Sequence, residues 1–95
     1  MPSTTANVST PKASRYMQQL CKHFAHKVPV TFDTETASVN FPFGDCRMWA
    51  DETSLRIECS SADNPALQRT RAVVQEHFER FAWREEPAFN WSPAC

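Results

Sequence analysis

Four short runs of alternating apolar and polar residues, between residues 28 and 59, place the strongest constraint on the fold of this chain. A period of two puts successive side chains on opposite faces of a strand, so each run predicts a strand with one buried and one exposed face. The inward-facing sets are Val28, Val30 and Phe32; Ala37, Val39 and Phe41; Cys46, Met48 and Ala50; and Leu55, Ile57 and Cys59. Three four-residue segments of turn-forming residues, 33–36, 42–45 and 51–54, separate the runs. The pattern therefore predicts a four-stranded antiparallel meander.

Matched alternation also predicts which residues face each other across the sheet. On the buried face the expected partners are Val30 with Val39, Val39 with Met48, Phe41 with Cys46, Cys46 with Cys59, Met48 with Ile57, and Ala50 with Leu55. Every pair is apolar, as a correct register requires, because a slip by one residue would turn a strand inside out. On the exposed face the same register places Trp49 beside Arg56 and Arg47 beside Glu58. Gly44, the only glycine, falls in the middle turn, where we expect a positive φ.

Two segments with helical spacing of apolar residues flank the meander. The first helix is predicted over residues 11–27 with Thr10 as its N-cap, and the second over residues 65–84 with Asn64 as its N-cap. Their apolar stripes consist of Tyr16, Met17, Leu20, Cys21, Phe24 and Val28, and of Leu67, Thr70, Val74, Phe78 and Phe81. A further alternating segment at residues 88–91 predicts a short last strand.

These elements define an α+β fold with the order α-β-β-β-β-α-β. Because both helices have one apolar stripe and the sheet has one apolar face, we expect a two-layer sandwich. The two helices would pack on one face of a mainly antiparallel five-stranded sheet. The last strand has two placements, beside the first strand, which we favour, or parallel to the fourth. Residues 1–11 are predicted to be a disordered tail, residues 12–93 a single α+β domain, and residues 94–95 a short C-terminal tail.

Charge and composition narrow the classes of partner. The net charge of −1 argues against a nucleic-acid-binding protein, whose affinity comes from neutralising phosphates. No apolar run approaches the roughly 20 residues of a membrane span, so we expect no membrane partner and a cytoplasmic location. The four cysteines follow no CxxC spacing, which favours reduced structural thiols over a zinc or redox site.

The seam between the two helices is the candidate ligand site. His23 and His26 lie three residues apart on the first helix, and His77 lies at the edge of the second apolar stripe. Packed side by side, the helices would bring the three imidazoles together as possible ligands of zinc or iron. The wider candidate set for an anionic ligand is His23, His26, Lys27, His77, Arg80 and Arg84. The alternative is that these residues only make hydrogen bonds at the core edge, and no cofactor is assigned.

The exposed face of the sheet is the candidate protein interface. An exposed tryptophan between two arginines, namely Trp49 with Arg47 and Arg56, suits an oligomer contact or an anionic ligand. The alternative is a solvated sheet whose cross-strand pairs only stabilise the strands. The sequence contains no Ser-His-Asp arrangement and no Gly-rich phosphate loop, so an enzyme would have to use a histidine as its general base.

Three segments of this sequence resemble a known family. Cys21-Lys-His-Phe-Ala-His-Lys27, Phe41-Pro-Phe-Gly-Asp-Cys46 and His77-Phe-Glu-Arg-Phe-Ala-Trp-Arg-Glu85 are similar, in order and spacing, to a small bacterial family known as domain of unknown function 2218. The resemblance extends over residues 14–93. The family has no established activity, but some members are associated with flavin-dependent siderophore-interacting reductases, which implies a link to iron uptake.

The sequence is best interpreted as a binding or interaction module rather than an enzyme. Its expected ligand is an anion, and a carboxylate or catecholate ferric siderophore suits the histidine and arginine side chains of the seam. The competing hypothesis is a homodimer, or a docking unit for a flavin reductase, that uses the sheet face around Trp49. The third hypothesis is an enzyme with a histidine base.

Overall fold

One antiparallel sheet of five strands, covered on one face by two helices, forms the structure. The computed structural model describes residues 2–82, 89 and 91. The elements are β1 (Ser3–Ser9), α1 (Ala13–Phe24), β2 (Val30–Phe32), β3 (Thr36–Phe41), β4 (Gly44–Ala50), β5 (Ser54–Ser60) and α2 (Asn64–Ala82). The strands lie in the order β1-β5-β4-β3-β2, and every neighbouring pair is antiparallel. The predicted α+β sandwich is therefore confirmed.

The first strand comes from the segment that was predicted to be a disordered tail. Residues 3–9 pair along their whole length with β5 and form one edge of the sheet. Thr4, Ala6 and Val8 point into the core and are almost completely buried. The prediction of a tail over residues 1–11 was wrong because small and hydroxyl-bearing residues occupy most inward positions, which weakens the alternating apolar signal.

The predicted last strand at residues 88–91 falls largely outside the described residues. Phe89 and Trp91 are described, and neither belongs to a strand. The ring of Phe89 meets that of Phe78 edge to face, with centroids 5.4 Å apart. The indole Nε1–H of Trp91 donates a hydrogen bond to Oε1 of Gln75 at 2.8 Å. These two aromatic residues therefore pack against α2.

The register is confirmed in two of the three predicted hairpins. The β2–β3 and β4–β5 pairs align as expected, with Val30 opposite Val39 and Cys46 opposite Cys59. The β3–β4 pair is shifted by two residues, so that Cys46 faces Val39 rather than Phe41. The connection contains only residues 42–43 instead of the predicted four residues. A shift by two keeps every side chain on its predicted face, because the side-chain period of a strand is also two.

Both helices begin differently from the predictions. α1 starts at Ala13, and the hydroxyl of Thr10 accepts a hydrogen bond from the backbone N–H of Lys12 at 3.1 Å. At the start of α2, Oδ1 of Asp63 accepts from the backbone N–H of Ala66 at 2.9 Å. Asp63 is thus the N-cap of α2, in place of the predicted asparagine. Within the described chain, no helix is long and apolar enough to cross a membrane.

The inner face of the sheet and the apolar stripes of both helices form one core. Its largest fully buried side chains include Phe78, Met17, Leu20, Met48, Leu55 and Ile57. Three cysteines, Cys21, Cys46 and Cys59, are buried there as free thiols. Burial raises the pKa of Cys21 to about 11, and a hydrogen bond with Cys59 together with burial raises the pKa of Cys46. Because the thiolate is the reactive form, the raised pKa values make Cys21 and Cys46 structural rather than nucleophilic.

Candidate functional site

The two helices bring His23 and His77 together at their seam. His23 lies in the last turn of α1, and His77 lies in the second half of α2. Their ring centroids are 5.0 Å apart, and the ring planes are tilted by 43°. His23 is exposed and His77 is half-buried. The structure therefore brings these two imidazoles together, as expected if the two helices pack side by side on the sheet.

A backbone contact fixes the orientation of His77. Its Nδ1 lies 2.7 Å from the carbonyl oxygen of Val73, one turn earlier in α2. A carbonyl oxygen only accepts hydrogen bonds, so Nδ1 must carry a proton and donate it. Any ligand contact made by this ring must consequently use Nε2. The second helix thus holds His77 in one orientation at the seam.

Among the described residues, the charged groups that act on the pKa of His23 are all positive. Desolvation lowers the pKa of His23 below its ordinary value, and His77, Lys27, His26 and Arg80 lower it further by charge repulsion. These groups come from the end of α1, from the turn that follows it and from α2. We call His23, His26, Lys27, His77 and Arg80 the cationic corner. The sixth predicted residue, Arg84, lies outside the described residues.

The structure does not assemble the predicted metal site from His23, His26 and His77. Among the described residues, no three His, Cys, Asp or Glu side chains are placed so that they could hold a metal ion. The prediction assumed that α1 continues past His26. Instead α1 ends at Phe24, and the backbone N–H of His26 turns back to the carbonyl of His23. His26 therefore contributes charge to the corner rather than a ligand paired with His23 on one helical flank.

A row of aromatic rings leads away from the cationic corner, and sequence reasoning did not find it. The ring centroid of Phe24 lies 5.0 Å from that of His77 and 5.0 Å from that of Phe41. The ring of Phe41 stacks on that of Phe43, with centroids 5.3 Å apart. At the far end, the guanidinium of Arg69 lies 4.4 Å from the ring centroid of Phe43. We call His77, Phe24, Phe41 and Phe43 the aromatic strip. Its only sequence signal is the pair of phenylalanines that flanks Pro42 in the β3–β4 hairpin.

The outer face of the sheet carries the predicted cluster around Trp49. Arg56 lies opposite Trp49, with its guanidinium carbon 5.4 Å from the ring centroid, and Arg47 lies opposite Glu58. Trp49 is 38% exposed, which is high for an indole side chain. A shallow recess of about 470 Å³ beside it is lined by Phe32, Arg47, Trp49 and neighbouring residues of β2 and β3. The arrangement matches the prediction, whereas its use as an interface remains a prediction.

A larger open cleft of about 1030 Å³ lies on the other side of α1. One wall carries Lys12, just before α1, together with Arg15 and Lys22 of α1. The opposite wall carries acidic residues of two turns, among them Glu35 and Glu52. Because charges of both signs line the cleft, its electrostatic potential favours neither an anionic nor a cationic ligand. The cationic corner is therefore the stronger candidate for an anionic ligand.

Fold and surface together define a class of protein. The described part of the chain is a small two-layer α+β sandwich with both helices on one face of the sheet and a positively charged corner between them. It belongs to the bacterial family described as "Uncharacterized protein conserved in bacteria (DUF2218)", whose sequence profile matches residues 5–92. The match begins inside β1, in agreement with a first strand that is part of the domain.

A solved structure has the same fold. The chain is 31% identical to the protein in "NMR structure of PA4090 from Pseudomonas aeruginosa", with a TM-score of 0.84. The alignment covers 98% of this chain and 97% of that chain, so the two proteins correspond over nearly their whole lengths. A comparison with curated proteins found no match.

Proposed function

We propose that this chain is a binding module that holds a small anionic ligand at the cationic corner. The observation that carries the proposal is the meeting of His23 and His77 at 5.0 Å, beside Lys27 and Arg80. Imidazolium, ammonium and guanidinium groups all form charge-assisted hydrogen bonds with anions. Desolvation is the main cause of the lowered pKa of His23, and an anion would offset the charge repulsion that lowers it further.

A complexed metal suits this corner better than a bare metal ion. The described residues offer no three-ligand metal site, and Lys27 and Arg80 would repel a free cation. A ferric complex of a carboxylate or catecholate siderophore carries net negative charge, so the same side chains would attract it. We therefore propose ferric siderophores as the ligand class to test first, with the iron as cargo rather than as a resident cofactor.

Charge reversal tests the corner directly. We expect the double variant Lys27→Glu/Arg80→Glu to bind sulfate at least about tenfold more weakly than the wild type, because two charge-assisted contacts become repulsions. The matched control, Arg47→Glu/Arg56→Glu, changes the net charge by the same amount on the outer face of the sheet and should leave the affinity within about twofold. Titrations followed by amide chemical shifts would locate the binding site as well as measure the affinity.

The affinity of the corner for an anion should rise as the pH falls. The lowered pKa of His23 keeps its ring largely neutral at pH 7.5, and protonation as the pH falls adds a charge that favours an anion. Sulfate affinity should therefore rise about three- to tenfold between pH 7.5 and pH 5.5. Sulfate keeps its own charge over this range, so the change reports on the protein. The rise should shrink in His23→Ala, and equal affinities for all variants at both pH values would contradict the proposal.

The siderophore class needs its own measurement. The gallium(III) complex of a tricatecholate siderophore is diamagnetic and carries the charge of the ferric complex, so amide spectra remain readable. We expect it to perturb the backbone amides of His23, Lys27 and His77 and to bind more tightly than sulfate. Binding of sulfate without binding of the gallium complex would support the anion site but contradict siderophores as its ligand class.

The open sheet face supports a second candidate, a homodimer. Tryptophan and arginine are common anchors of interfaces, and Trp49 with Arg56 forms an exposed pair on the sheet face opposite the two described helices. Sedimentation at increasing concentration should show a dimer, and Trp49→Ala should weaken it by at least about tenfold. Lys22→Ala on α1 serves as the control. A monomer at every concentration would contradict the homodimer proposal. A flavin reductase would then be the partner to test on this face.

A further inference from the structure

We infer that the anionic ligand of the cationic corner is an aromatic one, whose planar ring packs on the aromatic strip. This inference rests on the proposed function and adds the class of the ligand. The strip begins at His77, which is also part of the cationic corner. This residue can therefore contact both the anionic group and the ring of one ligand. A ligand with its anionic group at the corner would thus meet ring faces and edges next to it.

The contacts along the strip form an unbroken series. Phe24 is buried and contacts both His77 and Phe41, each with ring centroids 5.0 Å away. Phe41 and Phe43 stack with their planes only 11° apart, and both are half-exposed. Phe24 therefore supports the strip from below, while the other rings reach the surface. Rings held in this way lose little side-chain freedom when a ligand packs on them.

Positive charge marks both ends of the strip. The cationic corner lies at the His77 end, and Arg69 covers Phe43 at the other. Arginine stacks on an aromatic face through its planar guanidinium, and it also pairs with carboxylates. An aromatic anion can satisfy both kinds of group, whereas an aliphatic anion can satisfy only the charge.

There is also room beside the strip. An open surface cavity of about 410 Å³ is lined by Phe41, Phe43, Gly44, Ser61 and neighbouring residues. That volume lies within the roughly 300–1,000 Å³ range of small-molecule sites. Its one carboxylate, Asp45, already accepts a hydrogen bond from Nδ2 of Asn40 at 2.9 Å. The cavity suits the uncharged ring of a ligand rather than its anionic group.

A pair of matched probes tests the inference on the wild-type protein. 2-Naphthoate and decahydro-2-naphthoate carry the same charge and a similar apolar framework, but only the first is aromatic. We expect 2-naphthoate to bind at least about fivefold more tightly, because ring stacking adds to the charge contact. It should also cause ring-current shifts at the side-chain protons of His77, Phe41 and Phe43, which the saturated probe cannot cause.

A conservative variant tests the position of the ring. Phe43→Leu keeps an apolar side chain in the hairpin but removes one ring of the aromatic strip, so the preference for 2-naphthoate should fall to about twofold or less. Phe32→Leu, at another partly exposed phenylalanine outside the strip, should retain the full preference.

The outcomes separate this inference from the proposed function. Equal affinities for the two probes, with both still weakened by Lys27→Glu/Arg80→Glu, would overturn the aromatic class and keep the anion site. A preference that persists in Phe43→Leu would also overturn it, since the ring would then lie elsewhere. Failure of both probes and of sulfate to perturb the corner would remove the anion site itself.

Discussion

Removal of residues 1–9 is expected to unfold the domain rather than to trim a dispensable end. These residues contain β1, whose inward-facing Thr4, Ala6 and Val8 are at most 3% exposed. Burial of a valine side chain alone contributes about 1.5–3 kcal/mol, and the shortened chain would also uncover the edge of β5. A domain of this size has only about 5–15 kcal/mol of total stability. Loss of β1 should therefore remove most of the unfolding free energy.

A point substitution tests the same conclusion without shortening the chain. Val8→Glu would put a carboxylate into the core next to Leu55, at a cost of at least about 4 kcal/mol, because a buried charge without a partner is strongly unfavourable. Asn7→Glu is the matched control, since Asn7 lies one residue earlier, points to solvent and faces Arg56. Its effect should stay within about 0.5 kcal/mol.

Chemical denaturation followed by circular dichroism measures both effects. A chain lacking residues 1–9 that keeps its midpoint of unfolding, together with equal midpoints for Val8→Glu and Asn7→Glu, would show that β1 contributes nothing to the domain. The same experiment would then restore the disordered tail that the sequence pattern predicted.

The sequence predicted faces better than it predicted boundaries. Period-two alternation assigned the buried and exposed sides of β3, β4 and β5 correctly, because each of these strands carries apolar residues at its inward positions. The same alternation could not distinguish a two-residue connection from a four-residue connection between β3 and β4, since the two registers place identical side chains inward. β1 escaped detection because threonine and alanine supply little apolar contrast at two of its three buried positions.

The candidate site was also predictable only where the apolar pattern of an element fixes the position of a side chain. The meeting of His23 and His77 was predictable because helical spacing fixes each residue relative to its apolar stripe, and both stripes must face the same sheet. The aromatic strip was not predictable, because Phe43 comes from a hairpin whose direction relative to the helices depends on tertiary packing. The position of His26 was predicted incorrectly, because the end of α1 was predicted too late in the chain. Its spacing from His23 suggested a shared flank, but the helix ends two residues before it.

Substitution of Gly44 by alanine is expected to cause a large loss of stability for so small a change. A Cβ atom on Gly44 would lie against the hydroxyl of Ser61, 2.5 Å from Oγ1 of Thr70 and 2.7 Å from the carbonyl oxygen of Ser60. All three separations are below the 3.0 Å that real Cβ contacts respect. The backbone of Gly44 does not have the positive φ predicted from the sequence, so the requirement for glycine is one of space.

The neighbours of Gly44 cannot move away without a further cost. Ser61 and Thr70 are almost completely buried, and their hydroxyls are 2.9 Å apart in a hydrogen bond that joins the end of β5 to α2. Overpacking costs about 1–3 kcal/mol, and separation of a buried hydroxyl pair adds about 1–3 kcal/mol. Gly44→Ala should therefore lower the free energy of unfolding by about 2–4 kcal/mol, which corresponds to a fall in Tm of at least about 8 °C.

A double-mutant cycle shows whether the clash is the cause. Ser61→Ala removes the oxygen that lies nearest to the added Cβ, so Gly44→Ala should cost less in that background than in the wild type. The control is Asp45→Ala, at the exposed neighbour of Gly44, combined with Ser61→Ala, and these two effects should add. A change in Tm below 2 °C for Gly44→Ala, or strict additivity with Ser61→Ala, would contradict the steric explanation. The β3–β4 hairpin would then have to shift freely, and with it Phe43 and the outer end of the aromatic strip.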